Sequence, residues 1–301
     1  MDNENSGICP LCGEGTSEYM ECTDFAVTGE TFRLHRCSGC GLIMTGGTPA
    51  GTDREEYSKL NQEMLRANNP GALLDRLYYI ARLVTVRRKV RFVEEMTRMK
   101  RGRLLNYGAK NGFFSSRMSD RGWKVTSLEE QHEKRAFSLE MFHHRMMDTE
   151  ELDSLPHSSY DAVTLWHTFE HQDNPLQLLD KFSAILKHNG LLFIAVPNTD
   201  SLDAAYYGKD WAAWDVPRHL WHFNPQSMVR AGIAHGLVLL HHKRMPFDVF
   251  YISALSETYR NGNNISSVLR GLRRGFGFWL HTNSRRSGSS SIVYVFRKKN
   301  N

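Results

Sequence analysis

Residues 103–129, RLLNYGAKNGFFSSRMSDRGWKVTSLE, run in the order of a nucleoside-binding half-unit: strand, glycine turn, helix, second strand, carboxylate. Leu104, Leu105 and Tyr107 suit a short buried strand. Gly108 and Gly112 bracket a turn in which the main chain can approach a ligand closely, and Phe113 to Arg121 has the pattern of a helix. Trp123 to Leu128 is expected to form the second strand and to deliver Glu129 at its end. An acidic side chain about 20 residues past the first glycine is where such units place an acceptor for ribose hydroxyls. A dinucleotide fingerprint would also need glycine at 110 and 113, so that a pyrophosphate could sit on the helix N-terminus, but Lys110 and Phe113 stand there. The expected ligand is a nucleoside without a pyrophosphate.

Downstream the pattern keeps alternating. Asp161 to Trp166 reads as a strand, Pro175 to Lys187 as a helix, Leu191 to Val196 as a strand and Val238 to His241 as another. Pro225 to His235 reads as a helix with Asn224 as N-cap and Pro225 at its first position, and SIVYVFRK from Ser291 as a final strand. This alternation predicts an α/β fold with a mostly parallel sheet covered on both faces. Upstream, Leu73, Leu77, Ile80 and Val84 recur at helical spacing, and after a phase shift so do Val86, Val90, Val93 and Met96. One bent helix or two are expected between Pro70 and Lys100, packed on the main domain. The division is then residues 1–45 as a first unit, 46–100 as linker and helical connector, and 101–301 as the main domain. The glycines and proline of TGGTPAGT, from Thr45, read as a linker that decouples the first unit from the rest.

That first unit carries Cys9-Pro-Leu-Cys12 and Cys37-Ser-Gly-Cys40, two CxxC knuckles separated by 24 residues. Two residues between cysteines let both thiolates reach one tetrahedral ion, and two such knuckles supply four ligands with no open position, as in a structural zinc site. A short unit with few core residues gains much of its folding energy from such a metal. Redox chemistry at one CxxC is the competing reading; Cys22 is a spare thiol, and His35 is a substitute ligand of lower rank.

The net charge of the 301 residues is a mild +5. Basic residues cluster at Arg87, Arg88, Lys89 and Arg91, at Lys100, Arg101 and Arg103, at Arg270, Arg273 and Arg274, and at Arg285 and Arg286. Solvated helix faces and termini account for most of these, with an acidic or phosphate-bearing partner as the alternative. No apolar run reaches the length that spans a membrane, and MDNENSG lacks a secretory pattern. A cytoplasmic protein without membrane contact is expected, in which cysteines serve metals rather than disulfides.

Two further segments carry chemistry. His167-Thr-Phe-Glu170-His171 matches HxxEH, the inverted zinc-protease signature, which requires a helix. The preceding AVTLW is β-rich and Asn174-Pro175 restarts the chain, so the segment reads as the turn after a strand, with Glu170 and His171 capping and orienting it. His167 then lies on the rim where open α/β sheets bind ligands. The stretch DAAYYGKDWAAWDVPRHLWHF, from Asp203, reads as a cap over the site, spanning about 201–223 and completed by about 247–260. In it Asp215, Arg218 or His219 is placed to polarise a nucleophile. The competing reading is a packed loop whose tryptophans anchor it to the sheet edge.

Taken together, CPLCG from Cys9, RCSGCG from Arg36, LLNYGAKNGFF from Leu104, GWKVTSLE from Gly122, YDAVTLWHTFEH from Tyr160, ILKHNGLLFIAVPN from Ile185 and DVPRHLWHF from Asp215 give a chain that resembles class I S-adenosylmethionine-dependent methyltransferases. More closely, it resembles a bacterial branch with an N-terminal zinc ribbon. The resemblance implies a Rossmann-like sheet of seven strands, the last antiparallel. It also implies S-adenosyl-L-methionine held by Asn106, Gly108, Ala109, Gly112, Glu129 and His167, and zinc held by Cys9, Cys12, Cys37 and Cys40. Asn106 stands where the family has Asp, and Lys110 where it has Gly; a non-glycine residue in left-handed geometry costs roughly 1–2 kcal/mol. The expected function is methyl transfer to a small-molecule acceptor, with His167, His219 and Asp215 as candidates for the acid–base work. The alternatives are an RNA methyltransferase, gripping phosphates through its basic clusters, and a non-catalytic binding protein with a degenerate cofactor pocket.

Overall fold

The structure, a computed structural model, describes residues 7–47, 72–284 and 288–299. In chain order it contains β1 (Thr16–Thr23), β2 (Thr31–Cys37), β3 (Ile43–Gly46), α1 (Ala72–Thr97), β4 (Arg103–Tyr107), α2 (Phe113–Asp120), β5 (Lys124–Leu128), α3 (His132–Phe142), β6 (Tyr160–Trp166) and α4 (Pro175–Ile185). It continues with β7 (Leu186–Pro197), α5 (Leu202–Tyr207), β8 (Trp221–His222), α6 (Pro225–Ala234), β9 (Leu237–Arg244), α7 (Asp248–Asn261), α8 (Ile265–Ser284) and β10 (Ser291–Lys298).

Six strands make the central sheet in the order β5-β4-β6-β7-β10-β9; the first four are parallel, and β10 runs antiparallel to both β7 and β9. The strands are apolar on both sides because helices cover both faces. Alternation sorts them. Leu105, Val163, Ile194 and Tyr294 fall in one buried cluster with Phe169, Phe182 and Met228. Leu104, Ala162, Phe193 and Val293 fall in another with Val90, Val93, Phe114 and Trp123. Seven strands were expected. The missing edge strand is reduced to one parallel bridge between Leu128 and Met147, because α3 returns directly into a 3-10 turn at Thr149–Ser154.

Helix α1 is one continuous element over the span where one bent helix or two were expected. Val90 and Val93 of its stripe are buried, whereas Leu73, Leu77 and Ile80 have side chains outside the described residues, as does most of the expected linker. At α6 the Asn224 side chain accepts from the Ser227 N–H at 2.7 Å while Ser227 Oγ accepts from the Asn224 N–H at 3.0 Å, a reciprocal cap behind Pro225. Among the described residues, no helix is long and apolar enough to cross a membrane.

The cysteine-bearing strands form a second sheet, all antiparallel, of order β1-β2-β3-β8. Its last strand belongs to the aromatic segment, so the first unit is not decoupled from the rest. The Thr45 N–H donates to Leu220 O at 3.0 Å and Thr45 Oγ1 to His219 O at 2.6 Å. Buried Cys9, Cys37 and Cys40 also share the cluster of Phe223 and the main sheet. Strand pairing overrides the freedom that the glycines after Thr45 suggest.

Candidate functional site

Three groups of predicted residues can now be placed. The first is the thiol cluster. Cys9 Sγ lies 3.7 Å from Cys40 Sγ and Cys12 Sγ 3.3 Å from Cys37 Sγ, and the four sulfurs lie within 4.8 Å of one another. None is in a disulfide. Tetrahedral zinc with Zn–S of about 2.3 Å separates its sulfurs by about 3.8 Å, so the four donors fit that ion. The N–H groups of Gly39 and Cys40 point at Cys37 Sγ from 3.4 and 3.5 Å. Burial opposes ionisation there, but the Cys40 and Gly39 amides and the Cys12 thiol outweigh it and bring Cys37 down to about 7. Cys22 is separate, buried at the end of β1 against Phe32 and Trp211, with its thiol pushed up to about 12 chiefly by burial.

The second group is the turn between β4 and α2. Gly108 and Gly112 have φ of +67° and +81°, and Lys110 has φ of +52°, left-handed geometry at a residue with a full side chain. Both glycines are needed for close packing against protein. A Cβ on Gly108 would meet the Thr168 side chain at 2.2 Å, and one on Gly112 would meet Ser138 Oγ at 2.4 Å. The Ala109 N–H donates to Leu128 O at 3.0 Å, and the Lys110 N–H donates to Glu129 Oε2 at 2.7 Å. Glu129 Oε1 is held more loosely, by the Gln131 N–H at 3.3 Å and by Lys134 Nζ at 3.7 Å. Asn106 lies beneath the turn, 2% exposed and fully engaged: its amide donates to Ser115 Oγ at 2.9 Å and its oxygen accepts from Thr164 Oγ1 at 3.0 Å. The Lys110 ammonium forms no ion pair with a described residue. Burial lowers its pKa, and the charge of Glu170 opposes that.

The third group surrounds Glu170, in the 3-10 turn Phe169–His171 after β6. His167, at φ +53°, ends the strand; its N–H donates to Ala195 O at 3.0 Å. Its Nε2 lies 3.1 Å from Asp248 Oδ2 on α7 and its Nδ1 lies 3.4 Å from Glu170 Oε1. Burial disfavours the charged imidazole, but Asp248 and Glu170 outweigh it and raise the pKa. His219 Nε2 lies 3.6 Å from Asp215 Oδ2 and 3.9 Å from Glu170 Oε1, and Asp215 is paired with Arg218. His167 and His219 thus both approach a carboxylate assigned from sequence only to capping, and Asp215 joins them through His219. Burial would raise Glu170, yet the surrounding histidines hold it at about 2.

Asp248 and Lys89 were not identified as site residues from sequence. Lys89 Nζ sits 4.6 Å above the Trp166 ring, its pKa lowered to about 8 by burial first and by Lys110 second. The aromatic segment is mostly interior. Tyr207, Trp211 and Trp214 are buried with Phe32, Leu34 and Ile43 of the second sheet, so their rings serve packing. What this segment brings to the site is polar: Asp215, Arg218 and His219.

A family model described as a methyltransferase domain matches residues 76–242, more than half of the chain. No curated protein matches the sequence. Among solved structures, a candidate sarcosine dimethylglycine methyltransferase from Galdieria sulphuraria superposes with a TM-score of 0.52 at 16% identity, over 72% of this chain and 86% of that one. A 1,6-didemethyltoxoflavin-N1-methyltransferase from Burkholderia thailandensis, solved with 1,6-didemethyltoxoflavin and S-adenosylhomocysteine, gives 0.50 at 12% identity over 87% and 98%. A phosphoethanolamine N-methyltransferase 2 from Haemonchus contortus, in complex with S-adenosyl-L-methionine, gives 0.51 at 15% identity over 71% and 53%. Likeness at these identities shows a shared fold.

Proposed function

The chain belongs to the methyltransferase-domain family, and from that membership we propose that it transfers a methyl group from S-adenosyl-L-methionine to a small-molecule acceptor. The observation that carries the reading is the joining of the turn after β4 to the carboxylate after β5 through the Lys110–Glu129 hydrogen bond. It sets an anionic acceptor beside a turn at the carboxyl edge of the parallel sheet, where such folds bind nucleosides. The loosely held Glu129 Oε1 suits a ribose hydroxyl, and the Gly108–Gly112 turn suits the rest of the adenosyl group. Asn106 supports that turn from below through Ser115 and Thr164.

The donor supplies a methyl group already activated on a sulfonium. The protein has to align the acceptor and exclude water. His167, His219 and Asp215 are the groups proposed to orient the acceptor or hold its proton. Glu170 is fully buried and His219 is 7% exposed, a depth that a small acceptor reaches more readily than a polymer, which favours the small-molecule reading over RNA. We also propose that Cys9, Cys12, Cys37 and Cys40 hold one structural zinc, in the manner of a zinc ribbon.

Calorimetric titration of the full chain with S-adenosylhomocysteine tests the reading. Saturable binding of one equivalent is expected. Absence of binding by the folded protein would leave the non-catalytic reading standing, and a radiolabelled methyl donor supplied with metabolite extracts then identifies the acceptor where binding is found.

A further inference from the structure

Glu170 presents an unsolved problem of satisfaction. It is 0% exposed, and neither carboxylate oxygen accepts a well-formed hydrogen bond from a described residue; its ion-pair contacts, to His167 Nδ1 at 3.4 Å and His219 Nε2 at 3.9 Å, are long. Buried charges are paired, hydrogen-bonded or bound to metal, because an unsatisfied carboxylate in the interior is strongly destabilising. The nearest cationic candidate, His167 Nδ1, stands at 3.4 Å without forming a hydrogen bond that satisfies Glu170, and His167 is bonded on its other nitrogen to Asp248.

The carboxylate is not alone. Glu170, His171 and His219 each offer a ligand atom within 4.8 Å of the others. Both imidazoles are oriented from behind: His171 Nδ1 bonds to Arg218 O at 3.0 Å and His219 Nδ1 to Ala213 O at 2.9 Å. Metal-binding histidines are commonly oriented in this way, by a bond from one ring nitrogen to a backbone carbonyl. The Leu220 N–H donates to Glu170 O at 2.9 Å, which locks the segment carrying His219 onto the turn carrying Glu170 and His171. Asp215 Oδ2, 3.6 Å from His219 Nε2, stands close enough to serve as a further ligand or to bond a coordinated water.

We propose that Glu170, His171 and His219 form a binding site for one divalent transition cation, separate from the four-cysteine cluster. Two imidazoles and one carboxylate suit Mn, Fe or Zn, and three protein ligands leave positions open for water or for an oxygen of a bound molecule. Resting on the methyltransferase reading, the acceptor class is then a hydroxyl-bearing molecule whose oxygen takes an open position, since a divalent cation lowers the pKa of a coordinated hydroxyl.

The test is a Mn2+ titration of the zinc-loaded full chain followed by electron paramagnetic resonance, because Mn2+ competes poorly for thiolates. One bound Mn2+ per chain is expected, at least about tenfold weaker in Glu170→Gln and in His219→Gln. Circular dichroism checks that each variant is folded, and His171→Gln stands in for any that is not. No Mn2+ uptake, together with no second equivalent of Zn2+, would overturn the site. So would unchanged uptake in folded variants. Titration with S-adenosylhomocysteine on the same samples separates the two readings: bound Mn2+ without product binding leaves the cation site standing and removes the methyl-transfer reading.

Discussion

The Lys110 main-chain N–H donates to Glu129 Oε2 at 2.7 Å, so the turn after β4 and the carboxylate after β5 are one hydrogen-bonded unit. This pairing restrains a turn that contains three left-handed residues in five, at 108, 110 and 112.

Glu129→Ala is therefore expected to weaken S-adenosylhomocysteine binding by about 2–3 kcal/mol, the scale of hydrogen bonds to a charged group. The sheet should remain folded, because the Glu129 N–H bond to Met147 O does not involve the side chain. Unchanged affinity in calorimetry would place the ligand elsewhere.

How much of this could be read beforehand follows from sequence distance. The β4-turn-β5 unit was legible because its strand, glycines and carboxylate lie within 27 residues and each obeys a local rule. The two CxxC pairs were legible for the same reason. The packing of Trp211 and Trp214 was not, since their partners Phe32 and Leu34 come from a sheet far upstream. Nor was the pairing of His167 with Asp248, 81 residues apart with no periodicity to link them. Glu170 was visible in HTFEH, but its lack of a well-formed hydrogen bond from any described residue is a property of the folded interior. The seventh strand was expected from the resemblance and shrank to the Met147 bridge because so few residues follow α3.

One zinc per chain is expected in protein purified without added metal, measured by elemental analysis. Less than about a third of an equivalent, with all four thiols freely titratable, would refute the assignment. Because Thr45 bonds to Leu220 and His219, the effect of Cys37→Ser should not stop at residue 46. Faster amide exchange is expected in β1 to β3 and also around Trp221–His222, while the core of β4, β6 and β7 stays protected.

Lys89 gives the chain a specific pH dependence. Its pKa of about 8 lies below the ordinary lysine value of 10.5, through burial first, then the charge of Lys110, with Asp248 opposing. A lysine lowered on folding is destabilising while it must stay charged, so the sign is a gain in stability as pH rises from about 8 towards 10.5. Lys89→Met should therefore be more stable than the parent at pH 7, by at most about 3 kcal/mol and by less in practice because the side chain keeps some solvent contact. The difference should shrink above pH 8. Urea denaturation across that range measures it, and a difference independent of pH would rule the argument out.

On the proposed methyl-transfer reading, Lys110 is the residue of the turn whose replacement should change ligand affinity. At φ +52° it occupies the region that favours glycine, and its ammonium gains no ion pair with a described residue in return. Lys110→Gly should relieve roughly 1–2 kcal/mol of left-handed strain and tighten cofactor binding by up to that amount. An alternative is that the ammonium pairs with the carboxylate of the bound methionine moiety, in which case the same substitution weakens binding, and more so at low salt. The two differ again in their response to ligand charge. A cation beside the sulfonium of S-adenosylmethionine repels it, whereas the neutral sulfur of S-adenosylhomocysteine is indifferent. Strain with repulsion therefore predicts tighter binding of both ligands in Lys110→Gly, with the larger gain for the sulfonium form. Weaker binding of both would establish the pairing instead, and would make Lys110 part of the cofactor site in place of a cost imposed on it.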